Sequence, residues 1–334
     1  MLTRQLGSTS LQLSVIGLGT WAIGGGEWKF GWGHQDEHEA IAAIRRAVEL
    51  GVNWIDTAAV YGAGRSEELV AMALQQIPPA QRPLIATKCG RVAAPNGDIY
   101  GCLKRESVIS ECEASLRRLK IESVDLYQLH WPDPDADIEE AWQTLVDLRA
   151  QGKVRFIGVS NHSVSQMQRL QSISPIASLQ PPYSMIARDV EEQSLAWCAQ
   201  QQIGVICYSP MGKGLLSGTF SAVRAASLAS NDHRRNDPRF CSPQLEVNLT
   251  FVQTLQRIAD GLGWTVADLA ISWVLRRPEM TSAIVGARSP LQIEQTAAAG
   301  SRILSPAAVA DIGQAISVRD QQLADLGAVV KARV

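Results

Sequence analysis

Four polar residues of the sequence could together protonate a carbonyl oxygen. Asp56, Lys88 and His130 each stand at the end of a short apolar segment, and Tyr61 lies a few residues past Asp56. Taken singly, each has an ordinary structural explanation as a turn, surface or loop residue. Together they favour a shared site, because a lysine that ends an apolar run is partly desolvated and needs a counter-charge such as Asp56.

This set of side chains suits the reduction of a carbonyl group, which needs a hydride on carbon and a proton on oxygen. A free tyrosine has a pKa of about 10 and is a poor acid near neutrality. We expect the Lys88 ammonium to lower the pKa of Tyr61, and Asp56 to keep Lys88 charged. His130 could orient the carbonyl oxygen by a hydrogen bond or help relay the proton. No side chain donates a hydride, so a nicotinamide cofactor is required.

Short segments rich in valine and isoleucine alternate with helical patterns, which is typical of βα units and a parallel sheet. The predicted strands are residues 15–19, 52–57, 83–88, 124–130, 154–159, 177–180, 203–208 and 283–286. About eight strands, each followed by a helix, fit a closed barrel better than an open sheet. Consecutive strand ends converge on one face of a barrel, which would bring Asp56, Lys88 and His130 together.

Apolar residues at helical spacing predict the helices between these strands. They are residues 36–50, 105–119, 139–150, 188–201, 249–261, 266–276 and 290–299, with a C-terminal extra helix at 309–324. Residues 3–6 and 11–13, joined by a turn at Gly7, predict an N-terminal β-hairpin that would plug the bottom of the barrel. We therefore expect one α/β domain over residues 1–334, a (β/α)₈ TIM barrel.

The first strand is followed by a glycine pattern that imitates a dinucleotide-binding motif. Residues 17–22, Gly-Leu-Gly-Thr-Trp-Ala, fit the loose pattern G-x-G-x-x-A. That pattern requires a helix whose N-terminus meets the pyrophosphate, but the glycine-rich residues that follow predict no helix. We interpret Gly19 and Thr20 as the end of the first barrel strand, where a ligand approaches closely. The long loops at 21–34 and 209–243 are expected to carry function.

The four polar residues belong to longer motifs that occur in a fixed order. These motifs are Asp56-Thr57-Ala58-Ala59-Val60-Tyr61-Gly62 with Ser66-Glu67-Glu68-Leu69, then Thr87-Lys88, Asp125-Leu126-Tyr127-Gln128-Leu129-His130-Trp131 and Gly158-Val159-Ser160-Asn161. Through them the chain resembles the aldo-keto reductase superfamily over essentially its whole length. Tyr208-Ser209-Pro210 and Gly286-Ala287-Arg288 are similar to bacterial stress-type members and to potassium-channel beta subunits. The resemblance implies that Asp56, Tyr61, Lys88 and His130 are catalytic.

The resemblance also implies how NADP(H) is bound. Ser160, Asn161 and Gln180 match the residues that bind the nicotinamide amide, and Tyr208 matches the aromatic residue that stacks on its ring. Arg234 resembles a lid arginine of close relatives, with Arg235 as an alternative. The loop that encloses the pyrophosphate corresponds to Ser209, Pro210, Met211, Gly212, Lys213 and Gly214. Further contacts with the cofactor are expected from Gly19, Thr20, Trp21 and Asp56.

The stretch after the last strand predicts the choice of cofactor. Gly286, Arg288 and Gln292 match the family's residues for the adenosine 2′-phosphate, and Gln295 falls where relatives carry a glutamate near the adenine. Barrels independently tend to bind phosphate after their last two strands. The guanidinium of Arg288 presents a fork of donors that suits a phosphate. NADPH is therefore the predicted cofactor.

A small-molecule carbonyl compound is the predicted partner. Trp21 and Trp131 adjoin strand ends and are expected to line the substrate pocket with Tyr61 and His130. Trp28 and Trp32 either line the same pocket or pack a glycine-rich loop. The resemblance implies NADPH-dependent reduction of aldehydes and some ketones. The alternative is a redox-sensing or regulatory subunit that binds NADP(H) and turns over slowly.

The composition argues against other classes of partner. The formal net charge is −2 without a basic tract, so nucleic acid is not expected. No apolar run approaches about 18 residues and the N-terminus lacks a signal-peptide pattern, which predicts a soluble cytoplasmic protein, with a monomer plausible. Six scattered cysteines indicate reduced thiols. Only His130 of the five histidines ends a strand, so no metal is expected.

Overall fold

The β-strands form a closed barrel and two small hairpins. The computed structural model describes residues 1–25, 28, 30–94 and 96–332. The strands are β1 (Thr3–Gln5), β2 (Gln12–Ser14), β3 (Ile16–Gly19), β4 (Trp54–Asp56), β5 (Leu84–Cys89), β6 (Arg91–Ala93), β7 (Ile99–Gly101), β8 (Val124–Leu129), β9 (Val154–Ser160), β10 (Ser178–Gln180), β11 (Gly204–Tyr208) and β12 (Met280–Gly286). Eight of them form a parallel barrel in the order β3-β4-β5-β8-β9-β10-β11-β12, closed by pairing of β12 with β3. The predicted fold class is confirmed.

Helices surround the barrel, and local capping fixes where several of them begin and end. They are α1 (Glu37–Glu49), α2 (Arg65–Gln75), α3 (Arg105–Leu119), α4 (Ile138–Ala150), α5 (Val164–Gln171), α6 (Ser194–Gln200), α7 (Ala222–Ala226), α8 (Gln244–Leu262), α9 (Val266–Leu275), α10 (Pro290–Ala297) and α11 (Pro306–Ala332). The Asp36 side chain accepts a hydrogen bond from the Glu39 N–H at the start of α1. Gly51 follows α1 with φ +86°, a conformation that ends helices.

Each predicted barrel strand is present within a few residues of its expected position. The helix expected at 188–201 is instead a 3₁₀ turn, Asp189–Glu191, followed by α6. The sequence does not predict α2, α5, α7 or the hairpin of β6 and β7. Helix α5 has eight residues and α7 has five, which is too short to show a clear helical period. Helix α2 is not predicted from the sequence because two glycines, Gly62 and Gly64, stand just before it.

The N-terminal hairpin closes the bottom of the barrel with leucine side chains. Leu6, Leu11 and Leu13 are buried and pack against barrel-wall residues, namely Trp54, Ala86, Leu126, Ala177, Ile206 and Ile284. Burying a leucine side chain is worth roughly 1.5–3 kcal/mol, so these three contribute substantially to holding the hairpin in place. The N-terminal end of the barrel is thus filled, as predicted, and the polar strand ends lie at the opposite end.

Two helices reach the length of a membrane span only as a bent pair. Among the described residues, no single helix is long and apolar enough to cross a membrane. Helices α8 and α9 meet that requirement together, but their axes are bent by 88°. Every residue of α9 is buried, and the helix contacts β12. Its apolar character is therefore explained by its place in the protein core.

Candidate functional site

Asp56, Lys88 and Tyr61 meet at the C-terminal end of the barrel. Asp56 ends β4 and Lys88 lies in β5, the neighbouring strand. Lys88 Nζ donates to Asp56 Oδ1 at 2.7 Å and to the Thr57 carbonyl at 2.9 Å, and it lies 3.4 Å from the Tyr61 hydroxyl. Asp56 is 3% exposed and Lys88 is 1% exposed, so solvent screens their ion pair little. The ammonium therefore stands between a carboxylate and a phenol.

A turn of left-handed residues presents Tyr61. Gly62, Ala63 and Gly64 have φ of +58°, +52° and +99°. A Cβ atom at Gly62 would collide with the Gly24 carbonyl oxygen, so only glycine allows the two backbones to approach this closely. The turn is therefore fixed against the loop that follows β3.

Burial is the largest influence on the pKa of both Tyr61 and Lys88. It raises the pKa of Tyr61 well above the usual value, and the Asp56 carboxylate adds to this increase. It also lowers the pKa of Lys88, an effect that Asp56 and Glu67 partly offset. The net direction is opposite to the expectation that the pKa of Tyr61 is lowered, because burial and the Asp56 carboxylate both raise it. Tyr61 is therefore fully protonated at neutral pH.

His130 follows β8 and faces the Tyr61 ring. The two ring centroids are 5.8 Å apart and the ring planes meet at 76°. Burial, then the positive charges of Lys88 and Arg91, lower the pKa of His130 well below its usual value. The imidazole is therefore neutral near pH 7 and can donate or accept a hydrogen bond without carrying charge. The four residues that the sequence singles out thus lie together.

Amide and hydroxyl side chains connect this group to the next strands of the barrel. Gln180 Nε2 donates to Asp56 Oδ2 at 2.8 Å, at the end of β10. Asn161 Nδ2 donates to the His130 carbonyl at 3.0 Å, and the Tyr208 hydroxyl donates to Asn161 Oδ1 at 2.9 Å. Residues that the sequence assigns to the nicotinamide therefore share one hydrogen-bonded network with the residues assigned to proton transfer.

The segment after β11 forms a compact turn with several left-handed residues. Ser209, Gly212, Lys213 and Gly214 have φ of +55°, +56°, +58° and +89°. The Gly212 N–H donates to the Ser209 carbonyl at 2.9 Å. Backbone turns of this kind form concavities that bind anions. The turn contains the predicted pyrophosphate loop, Ser209, Pro210, Met211, Gly212, Lys213 and Gly214.

Arg234 faces this turn, whereas Arg235 does not. The Arg234 guanidinium lies 4.4 Å from the centroid of the Trp32 ring, and its Nη1 donates to the Lys213 carbonyl at 3.4 Å. Asp232 fixes it through hydrogen bonds of 3.0 and 2.6 Å. Arg235 is exposed and donates to a carbonyl of its own loop. Of the two arginines, Arg234 is therefore the one that contacts the predicted pyrophosphate loop.

Arg288, just after β12, is bound to the loop that follows β3. Its Nε donates to Gln35 Oε1 at 2.7 Å, its Nη1 donates to the Trp32 carbonyl at 3.0 Å, and its Nη2 donates to the His34 carbonyl. A guanidinium has five N–H groups, so two remain for a further acceptor. Gln292 Oε1 accepts from the Arg288 backbone N–H at 2.8 Å. Arg288 therefore links the last strand to the loop at 21–34.

The residues present fit a nicotinamide dinucleotide. Gly19 and Gly286 are register partners at the ends of β3 and β12, and a Cβ atom at Gly286 would have no neighbour closer than 3.9 Å. Thr20 is buried and binds the Asp56 carbonyl at 3.0 Å. Gln295 is exposed on α10. Amide side chains, a turn rich in left-handed residues and two arginines form a donor set that would suit such a cofactor.

Aromatic rings surround Tyr61 on the side of the loop at 21–34. Trp21 and Trp28 lie 6.4 and 6.1 Å from the Tyr61 ring centroid. Trp32 meets Trp21 edge-on at 5.5 Å, and His233 packs against both at 4.9 and 5.0 Å. The sequence gives no signal for His233, because its aromatic partners come from a distant loop. We call these rings the aromatic wall.

Trp131 occupies a different position from the other tryptophans expected at the pocket. Its side chain is 40% exposed, and its ring lies 5.6 Å from the Arg91 guanidinium. Arg91 in turn pairs with Asp133 at 2.9 Å. Trp131 therefore lies at an exposed rim after β8, not within the aromatic wall.

The part of the chain that the structure describes contains neither a metal-binding cluster of side chains nor a disulfide bond. No group of three His, Cys, Asp or Glu side chains there is arranged to hold a metal ion. The six cysteines are free thiols, and four of them are buried.

Comparison with known sequences identifies close relatives of the chain. The model of the Aldo/keto reductase family matches residues 15–317. The chain is 37% identical over 290 residues to the aldo-keto reductase YhdN of Bacillus subtilis (strain 168), which covers 86% of each protein. It is 33% identical over 315 residues to the NADH-specific methylglyoxal reductase of Escherichia coli (strain K12), which covers 90% of this chain and 94% of the relative.

Solved structures show the same architecture. A glycerol dehydrogenase from Gluconobacter oxydans superposes with a TM-score of 0.86 at 33% identity and covers 95% of both chains. An aldo-keto reductase from Bacillus halodurans, solved in its holo form, gives a TM-score of 0.75 at 24% identity over 94% of this chain and 96% of the other. The second likeness concerns the fold alone.

Proposed function

The chain belongs to the aldo/keto reductase family, and we propose that it reduces aldehydes and some ketones to alcohols with NADPH. The family match over residues 15–317 supports an oxidoreductase that acts on carbonyl groups with a nicotinamide cofactor. The single observation that carries the proposal is the Lys88 ammonium, 2.7 Å from Asp56 Oδ1 and 3.4 Å from the Tyr61 hydroxyl. This geometry supports Tyr61 as the proton donor.

Tyr61 protonates the carbonyl oxygen in the proposed reaction. A nicotinamide cofactor would supply the hydride chemistry at the carbonyl carbon. As negative charge develops on the oxygen, the Tyr61 hydroxyl donates its proton to it. Lys88 then stabilises the phenolate that remains. Because burial raises the pKa of Tyr61, its proton leaves only when a strongly basic alkoxide is forming, which ties proton transfer to reduction.

Named residues would hold the cofactor next to this acid. We assign Ser160, Asn161 and Gln180 to the nicotinamide amide and Tyr208 to the face of its ring. The support for this assignment is that Gln180 bonds Asp56 and Asn161 bonds the His130 carbonyl. The side chains assigned to the nicotinamide amide therefore also contact Asp56 and the backbone of His130. The turn at 209–214 and Arg234 would bind the pyrophosphate.

We assign His130 the role of a neutral hydrogen-bond donor that orients the carbonyl oxygen. Burial holds its pKa well below 6.5, so its charge does not change near neutrality. We expect kcat to vary by less than about twofold between about pH 6 and pH 8, measured at saturating cofactor and substrate. The His130→Gln enzyme should be slower with the same flat profile. A transition near pH 6.5 that is lost in His130→Gln would instead indicate proton relay.

Arg288 is the proposed determinant of the preference for NADPH. The E. coli relative is NADH-specific by name, so the preference must be tested in this chain. Arg288→Ala should weaken NADPH binding far more than NADH binding. Loss of one charge-assisted phosphate contact costs roughly 1.5–3 kcal/mol, or about tenfold to a hundredfold in affinity. Titration of intrinsic tryptophan fluorescence with each cofactor measures the effect.

Gln35→Ala is the matched control for Arg288→Ala. Arg288 also holds the loop at 21–34 through Gln35 and two carbonyls, so its removal loosens that loop as well. Gln35→Ala disturbs the same junction without removing the guanidinium, and it should affect NADPH and NADH alike. Equal weakening of both cofactors by Arg288→Ala would show that another residue reads the 2′-phosphate.

Steady-state oxidation of NADPH and of NADH, with a panel of carbonyl substrates, tests the proposed function as a whole. The panel should include a simple aromatic aldehyde, and also methylglyoxal and dihydroxyacetone, because relatives are named for methylglyoxal and glycerol. We expect turnover with aldehydes, and faster turnover with NADPH than with NADH. Cofactor binding without turnover of any substrate would contradict the proposal and favour a redox-sensing subunit.

A further inference from the structure

An ion pair between the buried Glu67 carboxylate and the partly exposed Arg118 guanidinium joins the Tyr61 turn to the strand of Lys88 from behind the site. We propose that Glu67 and Arg118 are positioning residues that hold Tyr61 against Lys88. The inference rests on the proposed function, because what these residues set is the 3.4 Å distance between Lys88 Nζ and the Tyr61 hydroxyl. Neither residue donates or accepts the transferred proton.

Glu67 connects α2 to the strand that carries Lys88. It is the third residue of α2 and is fully buried. Its Oε1 accepts a hydrogen bond of 2.6 Å from Thr87 Oγ1, one residue before Lys88 in β5. Its Oε2 lies 2.7 Å from both Nε and Nη2 of Arg118. A buried carboxylate is costly unless it is paired and hydrogen-bonded, and both oxygens of Glu67 meet that condition.

Arg118 contacts the turn that presents Tyr61. It lies in the last turn of α3. A Cβ atom at Gly64 would be 2.7 Å from Arg118 Cδ and 2.8 Å from its Nε, so the arginine side chain lies directly on this backbone. Gly64 has φ +99°, which glycine adopts without strain. The same side chain that pairs with Glu67 therefore packs against the turn three residues after Tyr61.

The neighbouring residue of α2 shows that this helix end is fixed to the barrel. Ser66 Oγ donates to Thr20 Oγ1 at 2.7 Å and lies 3.0 Å from Thr57 Oγ1. Together with the bond from Thr87 to Glu67, the first turn of α2 thus reaches the ends of β3, β4 and β5. The contact of Arg118 with Gly64 extends this rigid junction to the Tyr61 turn. Two catalytic groups from different elements are thereby held in register.

A second ion pair provides a matched control for a purely stabilising role. Arg302 lies 3.2 Å from Asp268, with side chains 26% and 2% exposed. The corresponding exposures for Arg118 and Glu67 are 25% and 0%. Asp268 caps α9 and contacts no residue assigned to the reaction among its described partners. Breaking either pair removes a similar amount of charge pairing, but only one pair touches the Tyr61 turn.

The experiment compares Arg118→Met with Arg302→Met in the full chain. Both should lower the melting temperature. Arg118→Met should also lower kcat by about tenfold or more, because a displacement of about 1 Å remote from the chemistry can cost about 10²-fold in rate. Its substrate KM and its fluorescence-measured cofactor Kd should match those of Arg302→Met. Arg118→Lys, which keeps a charge and an aliphatic stem, should recover most of the lost kcat.

Thr87→Val tests the contact between Glu67 and the strand of Lys88, and it does not depend on the folding of an arginine variant. It removes the hydroxyl that binds Glu67 and should lower kcat in the same selective way. If kcat of Arg118→Met or Thr87→Val equals that of Arg302→Met, the positioning role is refuted. That result is distinct from failure of the proposed function, which would appear as cofactor binding by the unmodified chain without turnover of any carbonyl substrate.

Discussion

Changing Tyr61 to phenylalanine is expected to lower kcat by about 10²-fold or more, the usual contribution of a positioned general acid. The change removes one hydroxyl and keeps the ring that packs with Trp21 and Trp28 at 6.4 and 6.1 Å. The aromatic wall and the amide network of Asn161 should therefore survive. Steady-state kinetics should show the loss in kcat, and fluorescence titration should show unchanged cofactor affinity.

Tyr127→Phe is the matched control for this change. Tyr127 lies in β8 and is fully buried in the core between the barrel and the helices. Loss of its hydroxyl is the same chemical change within the same barrel, so it should leave kcat close to that of the unmodified enzyme. A Tyr61→Phe enzyme with near-normal carbonyl reduction would refute Tyr61 as the proton donor, although the family and the fold would stand.

The barrel strands can be predicted from local sequence because they are buried on both faces. Such strands read as continuous apolar runs, and β5 is buried from Ile85 to Cys89. A charged residue within such a run, such as Lys88, is conspicuous and needs a nearby partner. Barrel topology then supplies Asp56 from the adjacent strand. The proton-transfer group is therefore visible in the sequence without any knowledge of distances.

Contacts between loops that are distant in sequence cannot be predicted from the sequence. His233 joins the aromatic wall through Trp21 and Trp32 of another loop. Arg288 uses three of its N–H groups on residues 32–35. Both contacts depend on how long irregular segments fold over the barrel end, and no period or motif encodes that path. The role of α2 is hidden for a related reason, since it depends on the packing of Arg118 from α3.

The direction in which the pKa of Tyr61 is shifted shows which of two opposing effects is larger in the structure. The sequence places an ammonium near the phenol, which alone would lower the pKa. In the structure that ammonium is 2.7 Å from the Asp56 carboxylate, so much of its field at Tyr61 is cancelled. Loss of solvation on burial is the largest effect on the Tyr61 hydroxyl, and it raises the pKa of Tyr61. Burial, with a smaller contribution from the Asp56 carboxylate, therefore decides the direction of the shift.

Changing Lys88 to methionine is expected to affect both catalysis and folding. Asp56 would stay 3% exposed without an ion-pair partner, and breaking a buried pair in this way costs about 3–5 kcal/mol of unfolding free energy. Denaturant titration measures that loss. In the folded fraction, kcat should fall by about 10²-fold or more, because the phenolate of Tyr61 loses its stabilising charge. Combining Lys88→Met with Tyr61→Phe should give little further loss of kcat, since both disable one proton-transfer unit.

Adding Asp56→Asn to Lys88→Met separates these two effects. A neutral amide is far less costly to bury than an unpaired carboxylate, and its oxygen can still accept the hydrogen bond that Gln180 Nε2 makes to Asp56 at 2.8 Å. The double variant should therefore unfold at higher denaturant concentration than Lys88→Met, while kcat stays low because the ammonium is still missing. A double variant no more stable than Lys88→Met would show that the unpaired Asp56 charge is not what destabilises the single variant. Recovery of kcat along with stability would show that Lys88 acts on folding alone and not on Tyr61.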